Sequence, residues 1–209
     1  MALHVVDHPL VTHRVAELRD VRTASAEFRR VAGELAGFLA YEATRDLPTE
    51  RGTVTTPLEM EADTNTLPGR SPLLVPVLRA GLALLDGVLV AVPTAEVGLV
   101  GLARDEATKE PVPYCVRLPA DLGGPPAFVL DPMLATGGSM AWTCRLLAER
   151  GITDITALVL IAAPEGVARV ERECPGVRIF TAALDSGLDD RAFILPGLGD
   201  AGDRLYGRA

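Results

Sequence analysis

One short stretch of the chain combines the residue types that could hold a phosphorylated sugar. Residues 131–139 read DPMLATGGS and follow the apolar run AFVL. The two glycines leave the backbone free to turn its amide groups inward, and the threonine and serine add hydroxyl donors. A helix beginning after this loop would direct the positive end of its dipole at the same place. The stretch therefore predicts a phosphate cradle, with Asp131 placed to meet a sugar hydroxyl or a metal-bound water.

An ordinary strand-to-helix turn is the alternative interpretation of the same loop. A threonine followed by two glycines suits such a turn, and without Asp131 at the strand end this plainer interpretation would be the stronger one. The loop also lacks the GK[ST] of a Walker loop and the GxGxxG of a dinucleotide site. The sequence therefore favours a phosphate site that belongs to neither of those two classes.

The rest of the chain predicts the elements that would position this loop. Short runs that are apolar at every position are typical of strands buried on both faces, whereas an apolar stripe at helical spacing is typical of a helix. Strands are predicted at residues 73–78, 97–103, 127–130, 155–162 and 177–182, and helices at 23–45, 82–92, 140–150 and from 164 to about 174. Pro76 is unusual for a central strand at 73–78, because proline has no N–H to donate to the strand's hydrogen-bond ladder. The alternation predicts an α/β fold: a parallel sheet flanked by helices.

Two further regions lie outside the predicted sheet. Residues 46–70 are polar and contain proline and glycine, which predicts a small hairpin or an irregular arm. The glycine-rich region 184–209 predicts a cap over the carboxyl edge of the sheet, where open α/β sheets bind their ligands. We expect one domain over residues 1–209, with an N-terminal helical region, the arm and this C-terminal cap.

Composition narrows the classes of function. The chain has 209 residues, 48% of them hydrophobic, and acidic residues outnumber basic ones by 28 to 20. These are values typical of a globular domain, and the negative charge disfavours general binding to nucleic acid or to membrane surfaces. Three separated cysteines predict neither a zinc site nor a disulfide framework, and no secretory signal or membrane span is apparent. We expect a soluble cytoplasmic protein.

Several motifs together resemble one family. The loop DPMLATGGS resembles the phosphoribosyl-diphosphate loop of type I phosphoribosyltransferases, in the form found in uracil phosphoribosyltransferases. VPVLRAG at residues 75–81, YEAT at 41–44 and AAPEG at 162–166 are similar to further motifs of that branch. PGLGDAGD at 196–203 is the most specific, and the resemblance extends from HPL at 8–10 nearly to the end of the chain.

The resemblance implies an enzyme of pyrimidine salvage. It would transfer the phosphoribosyl group of 5-phospho-α-D-ribose 1-diphosphate to uracil, giving UMP and diphosphate. A transition state of oxocarbenium character needs little covalent chemistry from the protein, so positioning and charge stabilisation would carry catalysis.

The resemblance also implies roles for individual residues. Arg79 and Arg104 would meet the diphosphate, Arg104 from a mobile loop, while Asp131 would hold the ribose hydroxyls and Asp200 would lie near both substrates. These four are the predicted catalytic residues. The phosphoribosyl diphosphate would also contact Pro132, Met133, Leu134, Ala135, Thr136, Gly137, Gly138 and Ser139, of which residues 135–139 would wrap the 5′-phosphate.

Uracil would be bound by the C-terminal segment. The family reads the base with backbone groups around Ile194 and around Gly199, Asp200 and Ala201. Two departures from the family pattern lie nearby: Asp189 stands where asparagine is usual, and Phe193 stands where tyrosine is usual. We expect activity to survive both, with base affinity and fine specificity open.

The implied cofactor is Mg²⁺, which we expect to arrive with the diphosphate. Many type I members have two adjacent acids in the ribose loop, but here the second position is Pro132, so we expect no metal site held by the protein alone. The family usually forms homodimers or larger assemblies such as tetramers, and some members respond to GTP, which makes GTP a candidate activator.

Two alternatives to uracil transfer remain open. The chain could bind phosphoribosyl diphosphate or UMP as a regulatory module, although Arg79, Arg104, Asp200 and the acidic net charge argue against this. It could also be an enzyme that acts on a purine or a modified pyrimidine, although PGLGDAGD favours uracil. A competition assay between bases separates these possibilities.

Overall fold

A computed structural model describes residues 3–67, 69, 71–104, 111–122 and 124–207, with Arg104 described for its backbone only. Within these ranges the chain forms six helices and thirteen strands. The helices are α1 (Pro9–Arg19), α2 (Ser25–Ala43), α3 (Leu82–Ala91), α4 (Gly138–Glu149), α5 (Pro164–Glu173) and α6 (Ala201–Tyr206). The strands are β1 (Leu3–Val5), β2 (Glu50–Thr55), β3 (Glu61–Thr66), β4 (Leu73–Leu78), β5 (Glu96–Val97), β6 (Leu99–Arg104), β7 (Pro111–Arg117), β8 (Ala127–Leu130), β9 (Met133–Leu134), β10 (Ile155–Ala162), β11 (Arg178–Leu184), β12 (Gly187–Leu188) and β13 (Ile194–Leu195).

The main sheet is mostly parallel, as the sequence predicts. Its strand order is β1-β11-β10-β8-β4-β6-β7, with β5 beside β4 and β9 beside β10. Every pairing in this sheet is parallel except that of β6 with β7. Because β8 and β4 are central neighbours, their carboxyl ends lie side by side at one edge of the sheet.

Pro76 is accommodated in the central strand β4 by a break in the neighbouring ladder. The amide of Leu73 donates to the carbonyl of Pro126, before β8, at 2.9 Å. Because amide directions alternate along a strand, the nitrogen of Pro76 faces the other side of β4. On that side β5 ends at Val97 and β6 begins at Leu99. The missing N–H therefore falls where the ladder is already interrupted.

Helices cover both faces of the sheet, and each face has its own hydrophobic core. Side chains of α1, α2, α3 and α6, such as the fully buried Phe28, Leu35 and Leu84, form one core. Side chains of α4 and α5, including Met140 and Val170, form the other. Strand β10 is buried over its whole length because side chains of both cores pack against it. This explains why its sequence is apolar at nearly every position.

Most predicted elements agree with the structure, and the differences lie at the periphery. The arm is a hairpin of β2 and β3, and the cap contains the small β12–β13 sheet and α6. The predicted strand at 97–103 is divided into β5 and β6. Helix α1 and the edge strands β1 and β7 were not among the predicted elements. None of the described helices is both long and apolar enough to cross a bilayer.

Candidate active site

Several of the sequence-predicted residues meet at the carboxyl edge of the main sheet. Arg79 follows β4 and Asp131 follows β8, so the pairing of these strands brings the two loops together. The cap lies beside them, and a cavity of about 370 Å³ opens between the cap and the two loops. Its lining comprises Arg79, Ala80, Asp131, Met133 and Ala135 from the sheet, and Arg191, Ala192, Phe193, Ile194, Gly199, Asp200, Ala201 and Gly202 from the cap.

Close backbone packing joins the two sheet loops beneath the cavity. A β-carbon at Gly81 would lie 2.3 Å from the carbonyl oxygen of Leu130, and 2.6 and 2.7 Å from the backbone nitrogen and oxygen of Val77. Only glycine leaves room for this approach. The absence of a side chain at position 81 therefore sets the spacing between the loop of Arg79 and the loop of Asp131.

Asp131 is an unusual carboxyl group. Loss of surrounding water raises its pKa to about 7, and a hydrogen bond from the Met133 amide, 3.3 Å from Oδ1, opposes that rise. One side of the group stays open to the cavity. Near neutral pH the group can therefore exchange between a neutral acid and a carboxylate, which accepts hydrogen bonds from hydroxyl groups.

The predicted phosphate loop leads into α4. Gly137 is the residue before the helix and adopts a left-handed conformation with φ 77°, and no side chain caps the helix start. The first amide groups of a helix have no partner within it, and the helix dipole adds partial positive charge. Thr136 and Ser139 flank the turn and are partly exposed. The loop therefore offers donors to an anion.

Not every residue of the predicted phosphate segment reaches the cavity. Pro132 and Leu134 are buried, and their carbonyl groups accept hydrogen bonds from the backbone of residues 160–163. Met133 lies between these two residues and lines the cavity, as does Ala135 after them. Strand β9 thus anchors the segment to β10, while alternate residues face the opening.

Asp200 has a structural role as well as a place in the cavity wall. Its Oδ1 accepts a hydrogen bond from the amide of Asp203 at 2.9 Å, so the side chain caps α6. The main chain at Gly199 and Ala201 lines the cavity beside it. Ile194 comes from β13, and its buried side chain belongs to the core beneath the cap.

The departure at Asp189 has a structural explanation. Its Oδ1 accepts hydrogen bonds from the amides of Arg191 at 2.9 Å and Phe193 at 2.8 Å. Both contacts need only an acceptor, which an asparagine oxygen would supply equally. The ring of Phe193 lies 5.4 Å from the guanidinium carbon of Arg191, within the range of a cation–π contact. This short loop places Arg191, Ala192 and Phe193 at the cavity, three residues that the sequence did not identify as site residues.

Arg104 is the predicted catalytic residue whose side chain is not described. The backbone of Arg104 ends β6, whereas its side chain and residues 105–110, the predicted mobile loop, lie outside the described residues.

Among the residues that the structure does describe, no group of three or more His, Cys, Asp or Glu side chains could hold a metal ion. The carboxyl groups that line the cavity are those of Asp131 and Asp200.

A larger groove of about 920 Å³ lies elsewhere, between α2 and α3. Most of its lining is apolar, including Phe38, Leu82 and Val90, and neither Arg79 nor Asp131 is among its lining residues. Ligands of open α/β sheets bind at the carboxyl ends of strands. The smaller cavity is therefore the candidate active site.

Known proteins are similar to this chain over nearly its whole length. A family model described as "Uracil phosphoribosyltransferase" matches residues 5–208. A protein of Streptomyces coelicolor named uracil phosphoribosyltransferase is 53% identical over 211 aligned residues, which cover the whole of both chains. The solved structure of the AQ2163 protein from Aquifex aeolicus is 39% identical, with a TM-score of 0.93 and 99% of each chain covered. An adenine phosphoribosyltransferase from Trypanosoma brucei, 14% identical with a TM-score of 0.58 and 91% of this chain and 87% of its own covered, shares the fold.

Proposed function

The chain belongs to the uracil phosphoribosyltransferase family, and we propose that the cavity at the carboxyl ends of β4 and β8 is the site at which it transfers a phosphoribosyl group to uracil. The products are UMP and diphosphate. The observation that carries this proposal is that Arg79 and Asp131 line one cavity together with residues 199–202 of PGLGDAGD, which include Asp200.

Positioning explains most of the proposed catalysis. The 5′-phosphate binds residues 135–139 at the start of α4, where helix amides and hydroxyl groups donate to it. The Asp131 carboxylate accepts hydrogen bonds from the ribose hydroxyl groups. These two anchors fix the sugar and leave the anomeric carbon facing the base, which removes much of the entropic cost of bringing the reactants together.

Charge stabilisation acts on the leaving group. Arg79 follows β4 directly and binds the diphosphate, and Arg104 meets it from the end of β6. As the bond to the anomeric carbon breaks, negative charge grows on the diphosphate and positive charge grows on the sugar. The guanidinium groups stabilise the negative charge on the diphosphate, and the carboxylates of Asp131 and Asp200 favour the positive charge on the sugar.

The base is recognised by backbone groups of the cap. Uracil presents alternating donors and acceptors, which main-chain groups at Ile194 and at residues 199–201 can match. Asp200 belongs to this segment and lines the same cavity as the sheet loops, so it is near both substrates. Its Oδ1 is held by the Asp203 amide, which fixes the orientation of the carboxylate.

Magnesium belongs to this proposal as part of the substrate. Mg²⁺ prefers oxygen ligands and binds readily through diphosphate oxygens, keeping several waters. The two carboxylates of the cavity could accept hydrogen bonds from such waters. GTP as an activator, a homodimer or tetramer as the assembly, and a cytoplasmic location are proposed on family resemblance.

The test is UMP formation from labelled uracil, phosphoribosyl diphosphate and Mg²⁺, with cytosine, hypoxanthine and orotate as parallel substrates. We expect turnover with uracil and at most trace turnover with the other bases. Binding of phosphoribosyl diphosphate without turnover of any base, with or without GTP, would instead support a regulatory module. Preference for another base would show that the enzyme acts on a substrate class other than uracil.

A further inference from the structure

The turn at residues 195–198 connects the two parts of the cap that line the cavity. Ile194 precedes the turn, and residues 199–202 follow it. A displacement of the turn would therefore move both cavity-lining stretches together. What holds the turn is a set of side chains that lie outside the cavity lining.

A partly buried ion pair, Arg19 with Asp185, holds both backbone groups of Gly197. The side chain of Asp185 is 4% exposed, and its two oxygens lie 2.5 and 2.8 Å from the guanidinium nitrogens of Arg19. The amide of Gly197 donates to Asp185 Oδ2 at 2.9 Å, and Arg19 donates to the carbonyl oxygen of Gly197 at 2.8 Å. The ion pair therefore binds both the amide and the carbonyl of Gly197, which fixes the position of the turn.

The neighbouring residues of the turn are held as well. The amide and hydroxyl of Ser186 both donate to the carbonyl of Leu195, at 2.9 and 2.7 Å. Arg204 donates to the carbonyl of Leu198 at 3.0 Å and also to the carbonyl of Leu18, at the end of α1. The last turn of α1 therefore serves as the support on which the base-binding segment rests.

The ion pair is charged near neutral pH. Burial by itself would raise the pKa of Asp185, but the hydrogen bonds from Arg19 and from the Gly197 amide outweigh burial and hold that pKa below its ordinary value. The hydrogen bonds that Arg19 donates to Asp185 in turn raise the pKa of Arg19. Bidentate, charge-assisted hydrogen bonds of this kind are shorter and stronger than neutral ones and fix geometry.

We propose that Arg19 and Asp185 are positioning residues for uracil: they hold the 195–198 turn so that the backbone at residues 194 and 199–201 keeps the spacing that reads the base. This inference rests on the proposed function, because it assumes that this backbone binds uracil. Neither side chain lines the cavity. Their effect is therefore indirect and falls mainly on the base, because, of the predicted contacts to phosphoribosyl diphosphate, only Asp200 belongs to the cap and the others follow β4, β6 and β8.

The experiment compares Asp185→Asn with a matched control at the opposite edge of the sheet. Asparagine keeps the shape and one acceptor but loses the charge. Loss of a charge-assisted hydrogen bond corresponds to a change of roughly tenfold or more, so we expect the KM for uracil to rise about that much. The KM for phosphoribosyl diphosphate should change less than about twofold. Asp154→Asn removes the exposed partner of Arg178 before β10, and should leave both constants unchanged.

A second variant separates positioning from folding. Arg19→Lys keeps the positive charge but offers only a single donor group in place of the bidentate fork. We expect its uracil KM to lie between those of the wild type and Arg19→Met, with the KM for phosphoribosyl diphosphate again unchanged. If Asp185→Asn fails to fold, the Arg19→Lys and Arg19→Met pair decides the question alone.

The outcomes distinguish this inference from the proposed function. Equal changes in both KM values, or a lowered melting temperature with neither KM altered, would overturn the positioning role. A wild-type protein that forms no UMP from uracil would instead overturn the proposed function. A selective rise in the uracil KM in Asp185→Asn, partly restored by the conservative Arg19→Lys relative to Arg19→Met, supports the inference.

Discussion

Gly81 packs against Leu130 so closely that a β-carbon at position 81 would lie 2.3 Å from the Leu130 carbonyl oxygen. The contact joins the loops that follow β4 and β8, and these loops carry Arg79 and Asp131. A glycine that does not itself line the cavity thus sets the distance between the predicted diphosphate and ribose contacts. The spacing of the site is a property of backbone packing as much as of its charged side chains.

Gly81→Ala should lower activity sharply. The new methyl group would meet three backbone atoms within 2.7 Å, so the two loops must separate. Overpacking of this kind costs about 1–3 kcal/mol of stability, and a shift of the site of about 1 Å can cost on the order of 100-fold in rate. We expect kcat/KM to fall at least that far, measured by UMP formation.

Gly33→Ala is the control for this substitution. A β-carbon at Gly33 would lie 3.7 Å from the Ala83 carbonyl, which is ordinary van der Waals contact. Because Gly33 lies inside α2, alanine should leave the free energy of unfolding unchanged or raise it by up to about 1 kcal/mol. Activity should be unchanged. Equal losses in the two variants would contradict the specific role of the Gly81 contact.

Asp131→Asn should remove a pH dependence of stability. The pKa of Asp131 is raised to about 7 in the folded chain, so its contribution to stability is fully present below the unfolded value and is lost as pH rises through about 7. From pH 8 to pH 5 the wild type should gain about 2.6 kcal/mol relative to Asp131→Asn, at about 1.4 kcal/mol per unit below pH 7. Thermal unfolding of both proteins across this range measures the difference. A constant difference would show that the folded pKa is not raised.

Two substitutions separate the helix-capping role of Asp200 from its catalytic role. Asp200→Asn keeps an oxygen that accepts from the Asp203 amide, so the cap of α6 survives while the charge at the cavity is lost. We expect a stable protein without measurable turnover. Asp200→Ala should lose turnover and also about 1 kcal/mol of stability, because the cap is removed. Wild-type turnover in either variant, with unfolding unchanged, would sink the catalytic role.

Asp189→Asn should be nearly silent, whereas Asp189→Ala should not. The side-chain oxygen accepts from the Arg191 and Phe193 amides, and asparagine retains that acceptor. We expect kcat/KM for uracil to change less than about threefold in Asp189→Asn. Alanine leaves two amides without their acceptor at about 1 kcal/mol each, and should raise the uracil KM. Steady-state kinetics with varied uracil decides between them.

The sequence predicts the sheet and its ligand edge because burial leaves a direct pattern. Strand β10 is buried at every position, and its predicted bounds of 155–162 agree with the structure. Strand β7 is largely exposed on an edge and contains two prolines, so it lacks that pattern. Helix α1 does carry a stripe of Val11, Val15 and Leu18, a signal that was available in the sequence.

Long-range side-chain partners lie beyond what the sequence could indicate. Arg19 and Asp185 are 166 residues apart, and nothing in local spacing joins them. The same holds for the contact of Gly81 with Leu130, which depends on the pairing order of β4 and β8. Motif resemblance identified the residues of the candidate site, whereas the packing that spaces them required the fold.

The most direct measurement is a crystal structure of the chain with UMP and diphosphate. We predict the uracil ring within hydrogen-bond distance of the backbone at Ile194 and Ala201. We also predict the phosphate of UMP at residues 135–139, the ribose hydroxyls on Asp131 and the diphosphate beside Arg79. A nucleotide bound in the groove between α2 and α3, or one with its base directed away from the cap, would contradict the assignment of the site.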